Sequence, residues 1–316
     1  MATTNPDAAP PEPIGVTERL KRYVAFSRLP HVLLDIATPA MAALLWLGYF
    51  PSALTVILGM FTAFSGYTAI YALNDMVDRR VDREKMDVDD RSHDAYLDAI
   101  GGRHPVAQGL LSSRQAWIWI IVWGLFGTVG AFLLRPVCMI IFLSGGVLEA
   151  AYCVLYRVTP LRVFLSGVIK TLGGVAAIFV VDPRPDAGQL ALIVAMVFFW
   201  EIGGQNIPAD WTDIEEDVRM EARTVPVRLG SQWATVAILI CLIAAIAVSV
   251  VLLQVFGGRG TQAFIGADLL AGAGLLVYPS IALLLRRERL SAQAVFNSAS
   301  YYPLALLAIM TVRAVV

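Results

Sequence analysis

The chain has 316 residues, 58% hydrophobic and only 16% charged, well below the quarter that soluble domains carry. Its net charge of −1 supplies no global field to attract nucleic acid, which is excluded as a partner. A mean hydropathy of +0.68 comes from apolar runs that reach the roughly 20 residues needed to cross a bilayer core, so the lipid bilayer is the expected solvent.

The opening stretch, MATTNPDAAPPEPIG, is rich in Pro and Ala. It lacks the basic start and apolar core of a signal peptide. Residues 1–18 are expected to form a disordered tail, and 19–316 a single membrane domain. Nine helices are predicted, at 31–49, 53–76, 115–134, 137–156, 163–181, 189–210, 232–255, 263–285 and 296–315. Run length and the lack of period-2 alternation favour helices over strands, and in lipid a helix satisfies its own backbone. The expected fold class is therefore all-α: a polytopic bundle of nine transmembrane helices. Breakers such as GYFPS, RPV, VTPLR, DPRPDAG and GGRG separate the runs. The three cysteines, Cys138, Cys153 and Cys241, lie inside apolar runs without C-x-x-C spacing and read as packing residues. Trp46, Tyr49 and Tyr302, near span ends, read as an aromatic belt.

Nineteen of the 24 Lys and Arg residues fall on one side of this bundle. The excess of basic residues places that side, with the N-terminus, in the cytoplasm, and nine spans place the C-terminus outside.

Two polar stretches follow apolar runs on the cytoplasmic side, YALNDMVDRRVD at 71–82 and NIPADWTDIEED at 206–217. Asp75, Asp78 and Asp82 form D-x-x-D-x-x-x-D, and Asp210, Asp213 and Asp217 repeat it. The 3-then-4 spacing puts three carboxylates on one face of a helix. Asn74 and Asn206 supply an amide beside each set. Like charges so arranged repel, and a positive partner is expected. Oxygen-only ligand sets suit Mg²⁺, which shares its coordination with substrate phosphates. Two such stripes, facing each other, have the ligands for Mg²⁺ ions with a diphosphate between them.

These residues resemble the UbiA superfamily of intramembrane prenyltransferases, over about residues 20–315. NDMVDRRVD fits the family's N-D-x-x-D-x-x-x-D at Asn74, Asp75, Asp78 and Asp82. DWTDIEED fits the second motif at Asp213 and Asp217, with Asp210 preceding it, and RTVPVRLG (Arg223 to Gly230) is similar to the tail that follows. The resemblance implies a helical bundle around a central, lipid-open cavity. It implies Mg²⁺ on Asn74, Asp75, Asp78, Asp82, Asp210, Asp213 and Asp217, with Asp75, Asp78, Asp213 and Asp217 catalytic. The implied reaction ionises an isoprenyl diphosphate, and an aromatic or quinone-precursor acceptor captures the allylic cation. Arg79, Arg103, Tyr152, Arg157, Lys170 and Asn206 are the expected contacts of diphosphate and acceptor. The implied setting is a bacterial or archaeal cell membrane, with the site facing the cytoplasm.

This chain departs from the family pattern twice. A polar insert at 83–102 separates Asp82 from RHPVAQG (Arg103 to Gly109); it reads either as a lid or as a solvated loop. Where relatives carry Tyr-x-x-x-Lys at the cytoplasmic end of span four, Tyr152 is present but Tyr156 replaces the Lys, leaving Arg157 as the substitute cation.

Charges inside spans are functional hypotheses by default. Lys170 either reaches the diphosphate or snorkels to the surface. Asp35 either contacts the acceptor or pairs with a cation. Glu149 lines the cavity or pairs with Lys170. Glu201 lines the pocket or bonds another helix, and Gly203 and Gly204 permit close helix approach. The histidines show no zinc spacing and are assigned no role. Two alternatives remain: a terpene cyclase of the same family, and a transporter using the acids as an ion path. The second predicts ionisable residues through the full depth, whereas here they concentrate at one end.

Overall fold

The computed structural model describes residues 15–86, 104–258 and 260–316. Among these, nine helical stretches are long and apolar enough to cross a membrane: Leu29–Leu47, Ala53–Lys85, Ser113–Leu134, Pro136–Arg157, Arg162–Val181, Ala187–Thr212, Val225–Val255, Thr261–Arg286 and Arg289–Val315. The chain is an integral membrane protein of the expected all-α class. The second, seventh and ninth stretches run well past their apolar runs, because polar turns extend them beyond the membrane edge.

An interfacial helix α1 (Val16–Phe26) comes first, so the final residues of the expected tail are helical. The first span is broken into α2 (Leu29–Asp35) and α3 (Ala37–Leu47). Helix α4 (Ala53–Met86) is continuous and carries residues 83–86 of the expected insert; residues 87–102 lie outside the described residues. Helix α5 (Ser113–Leu134) starts at a capping box in which the Ser112 hydroxyl and the Gln115 side chain each bond the other's backbone N–H. Helices α6 (Pro136–Val154) and α7 (Arg162–Val181) follow, with a 3₁₀ turn over Leu155–Arg157 between them.

The sixth span is α8 (Ala187–Trp200), a π-helical segment over Glu201–Asn206, and α9 (Ile207–Thr212). A short α10 (Ile214–Arg219) leads to α11 (Val225–Val255), which kinks at Gly230, where φ is 80°. Helix α12 (Thr261–Gly272) joins α13 (Tyr278–Arg286) through a second π segment. The last span is α14 (Arg289–Ala299) and α15 (Tyr302–Val315), interrupted before Pro303. Pro208, Pro279 and Pro303 lack the N–H that a regular helix needs, which suits them to the turn following each interruption.

Helix α4 packs on α5 and α6, α3 on α7 and α15, and α8 on α11. Large apolar side chains such as Leu54, Leu133, Val147, Leu270 and Leu285 are exposed on the outer surface, where the bilayer rather than water surrounds them. The best-buried apolar core lies in the second half of the chain, with Ile238, Leu242, Leu276, Leu283, Val295 and Ala299 completely buried. Gly203 and Gly204 do permit close approach. A Cβ at Gly203 would lie 2.9 Å from the Ile238 carbonyl oxygen, and one at Gly204 would lie 2.9 Å from the Ala299 Cβ. Tyr302 departs from the expected aromatic belt: it is 1% exposed. Its hydroxyl donates to Asp268 at 2.7 Å, and Ser249 donates to the same carboxylate at 2.5 Å. A buried carboxylate in lipid needs donors, and this Tyr supplies one.

Candidate active site

The first acidic motif sits where α4 leaves the apolar layer. Because α4 is unbroken, Asp75, Asp78 and Asp82 share one face of it as the spacing predicts. The second motif does not form a regular helical stripe. Asp213 has φ −99° and ψ 17° and interrupts the helix between α9 and α10, so Asp210 and Asp217 lie on separate helices.

The two motifs meet across a polar cavity of about 150 Å³, lined by Asp78, Asp82 and Asp213 together with Arg28, Lys85, His104 and Arg162. His104 Nδ1 lies 2.7 Å from Asp75 Oδ1 and 2.9 Å from Asp82 Oδ2. Lys85 Nζ, from the end of α4, lies 3.1 Å from both Asp213 Oδ2 and Asp217 Oδ1. Arg162 opens α7, is 5% exposed, and donates to Asp210 at 2.7 Å. Its guanidinium also stacks 4.6 Å from the Tyr152 ring and 4.9 Å from the Tyr156 ring. Tyr156 donates its hydroxyl to Asp217. Asn206 donates to the Tyr152 hydroxyl at 2.7 Å. Burial pushes the His104 imidazole down, but the carboxylates of Asp82 and Asp75 outweigh it and hold its pKa above the ordinary histidine value.

Beneath this lies a second polar group. Lys170 Nζ is 2.6 Å from Asp35 Oδ2 and 3.9 Å from Glu201 Oε2. Tyr71 donates to Asp35, and Ser166 donates to Glu201 at 2.7 Å. Asp35 thus has a cation partner, one of its two expected readings, whereas Lys170 turns inward to Asp35 and Glu201, an arrangement that neither of its expected readings named. Glu149 does not take Lys170 as its hydrogen-bonded partner; it accepts from Asn74 at 2.6 Å. Deeper still is an apolar cavity of about 430 Å³ lined by Ile36, Pro39, Tyr67, Ile70, Leu172 and Gly173, among others. Consecutive turns of α4 thus pass from apolar cavity (Tyr67, Ile70) to polar group (Tyr71) to acidic pocket (Asn74 to Lys85).

The donor set fits a divalent ion. The second oxygens of Asp75 and Asp217 are buried with no hydrogen-bond partner. Uncompensated carboxylate oxygens of this kind are costly, and they fit an oxygen-seeking cation such as Mg²⁺.

With this geometry in place, a family model for the UbiA prenyltransferase family matches residues 36–305. The chain belongs to the UbiA prenyltransferase family. Solved structures of similar fold include a UbiA homologue from Aeropyrum pernix K1, with 20% identity and a TM-score of 0.69 over 89% of this chain and 97% of that one. Digeranylgeranylglyceryl phosphate synthase gives 16% identity and 0.65 over 94% and 99%. A UbiA homologue from Archaeoglobus fulgidus bound to DMAPP and Mg²⁺ gives 14% and 0.63 over 92% and 99%. At such identities the likeness establishes the fold alone. No curated protein matches the chain.

Against the family's motif pattern, the structure gathers Asn74, the two acidic triads, Tyr152 and Asn206 around one pocket. It does not bring Arg157 into that pocket: the side chain is 45% exposed and pairs with Glu84, because the 3₁₀ turn points it to the surface. Arg79 caps the Met76 carbonyl at 3.1 Å and is absent from the pocket lining. Arg103 lies outside the described residues. Cations that do line the pocket are Arg28, Lys85, His104 and Arg162, with Arg289 3.8 Å from Asp213, and none of them was singled out by motif. Arg162 carried one signal, its place two residues after Pro160 at the start of span five. His104 carried another, its neighbour Pro105 in RHPVAQG.

Proposed function

We propose that this chain is a Mg²⁺-dependent intramembrane prenyltransferase, moving an isoprenyl group from its diphosphate to an aromatic or quinone-precursor acceptor. The observation that carries the reading is the meeting of the two acidic motifs, with cations facing them, above an apolar cavity of about 430 Å³ and separated from it by the Asp35–Lys170 polar group. That volume falls in the range of small-molecule sites. It suits a prenyl chain whose diphosphate head lies among Asp78, Asp82 and Asp213. Support also comes from the Archaeoglobus fulgidus homologue, whose structures hold DMAPP or GPP with Mg²⁺.

In this reading Asn74, Asp75, Asp78, Asp82, Asp213 and Asp217 are the available oxygen ligands, and Asp210 acts by anchoring Arg162. Mg²⁺, when bound, supplies Lewis-acid stabilisation of charge on the leaving diphosphate. Arg28 and Arg162 add fixed positive charge to the same oxygens in a site shielded from water. The bond between the allylic carbon and the diphosphate oxygen breaks, and its electron pair leaves with the diphosphate. The acceptor's ring carbon supplies the electrons of the new C–C bond and then loses its proton. Asp35, Tyr71, Lys170 and Glu201, one turn of α4 below the acids, are the groups assigned to orient the acceptor. Tyr152 lines the acidic pocket and is held by Asn206, which donates to its hydroxyl.

The test is pyrophosphate release by the purified chain in lipid, with geranyl, farnesyl and geranylgeranyl diphosphates, with and without Mg²⁺ and a panel of phenolic acids, naphthoates and quinone precursors. Mg²⁺-dependent release that requires an acceptor is expected. Acceptor-free release yielding a cyclic hydrocarbon would replace the transferase with a terpene cyclase.

A further inference from the structure

Each acidic cluster holds a cation that belongs to the chain itself. Lys85 Nζ sits between Asp213 and Asp217, 3.1 Å from an oxygen of each. His104 Nδ1 sits in the same way between Asp75 and Asp82. Magnesium binds carboxylate oxygens at about 2.0–2.1 Å, so an ion bridging Asp213 and Asp217 needs the volume that the Lys85 ammonium now fills.

From this geometry, and resting on the metal-dependent reading above, we propose that Lys85 is a resident counter-cation of the second acidic cluster. A divalent metal must displace it, and the diphosphate then takes up the displaced ammonium.

Three observations support the exchange. Lys85 is not held by a saturated network: Asp217 Oδ2 remains buried without a partner, whereas a buried ion pair kept for structure needs its remaining lone pairs satisfied. Its side chain is mobile in kind, an unbranched stem ending in a point charge, and it lines the same pocket as Asp78, Asp82 and Arg162. Beyond the charges of Asp82 and Asp210, it is supported by the Tyr156 ring, 5.2 Å from Nζ, a contact weaker than a phosphate oxygen would provide.

The energetic consequence is coupling. Metal alone would leave the Lys85 ammonium in a largely buried pocket with its carboxylates taken, which is costly. Metal together with diphosphate gives the ammonium new oxygens and removes that cost. Metal and diphosphate therefore each raise the affinity of the other by the same factor.

The experiment is Mn²⁺ binding, followed by electron paramagnetic resonance, on the full chain in lipid nanodiscs with and without inorganic pyrophosphate. Wild type is expected to bind Mn²⁺ weakly alone and at least tenfold more tightly with pyrophosphate. Lys85→Met is expected to bind Mn²⁺ alone about tenfold more tightly than wild type and to respond less to pyrophosphate. Lys85→Arg, which keeps the charge, is expected to return toward weak binding. Equal or weaker Mn²⁺ affinity in Lys85→Met would overturn the proposal while leaving a metal-dependent enzyme in place. Absence of Mn²⁺ binding in wild type under both conditions would overturn the metal reading itself. A second readout uses only wild type: amine-reactive labelling of Lys85, read by mass spectrometry, should be slow without metal and faster once Mn²⁺ is added. Protection that persists under saturating Mn²⁺ contradicts displacement.

Discussion

Arg162 and Arg157 illustrate what decides a residue's role here. Both are cations at the end of the bundle that carries the acidic motifs, five positions apart. Arg162 is buried against Asp210 and two tyrosine rings, whereas Arg157 is half exposed against Glu84. An exposed pair contributes about 0–1 kcal/mol. Removing one partner of a buried pair costs about 3–5 kcal/mol, because the other charge is left stranded. Arg162→Gln is therefore expected to lower both stability and turnover, the latter by about 10²-fold, while Arg157→Gln leaves both near wild type. The double variant Arg162→Gln/Asp210→Asn should regain thermal stability without regaining turnover. Recovery of both would make Arg162 purely structural. The carboxylates were legible in the sequence because their spacing is local. Their cations were not, because Lys85, Arg162 and His104 reach the acids from three separate segments, and only the tertiary fold brings those together.

Individual elements show the same division. The apolar runs and breakers mark where helices lie. They do not mark the π segment over Glu201–Asn206, whose geometry depends on what packs against it: Gln205 donates to the Phe296 carbonyl and the Ser300 hydroxyl, both at 3.2 Å. The paired glycines signal close approach correctly, and the cost of violating it differs by site. Gly203→Ala would force a Cβ to within 2.8 Å of the Cys241 Cβ, and overpacking of this kind costs about 1–3 kcal/mol. Gly266, inside α12, has nothing within 4 Å of an added Cβ, so Gly266→Ala should hold or raise stability by up to about 1 kcal/mol. Thermal melts of the two variants in the same detergent check the pair. Equal melting temperatures would mean that the contact between the π segment and α11 is looser than described. The break at Asp213 was equally hidden, since D-x-x-D-x-x-x-D suits an unbroken helix as well as a bent one.

For the whole molecule, nine crossings among the described residues put the two ends on opposite faces. The distribution of basic residues predicts that the N-terminus lies in the cytoplasm. Single cysteines introduced at the two ends should label from opposite sides of intact cells, the C-terminal one from outside; labelling of both from one side would contradict nine crossings. The bundle was legible because lipid permits few solutions for a chain this apolar. The cavity within it was not, because its walls come from spans far apart in sequence.

In the proposed reaction the two acidic motifs act as one metal–diphosphate site. The most direct measurement is Mg²⁺-dependent pyrophosphate release by Asp78→Asn and Asp213→Asn, compared with wild type in the same lipid at matched folded protein. Loss of about 10²–10³-fold in each variant alone is the predicted result, since Asp78 and Asp213 line the same cavity from opposite motifs. Near-wild-type release by either variant would contradict it.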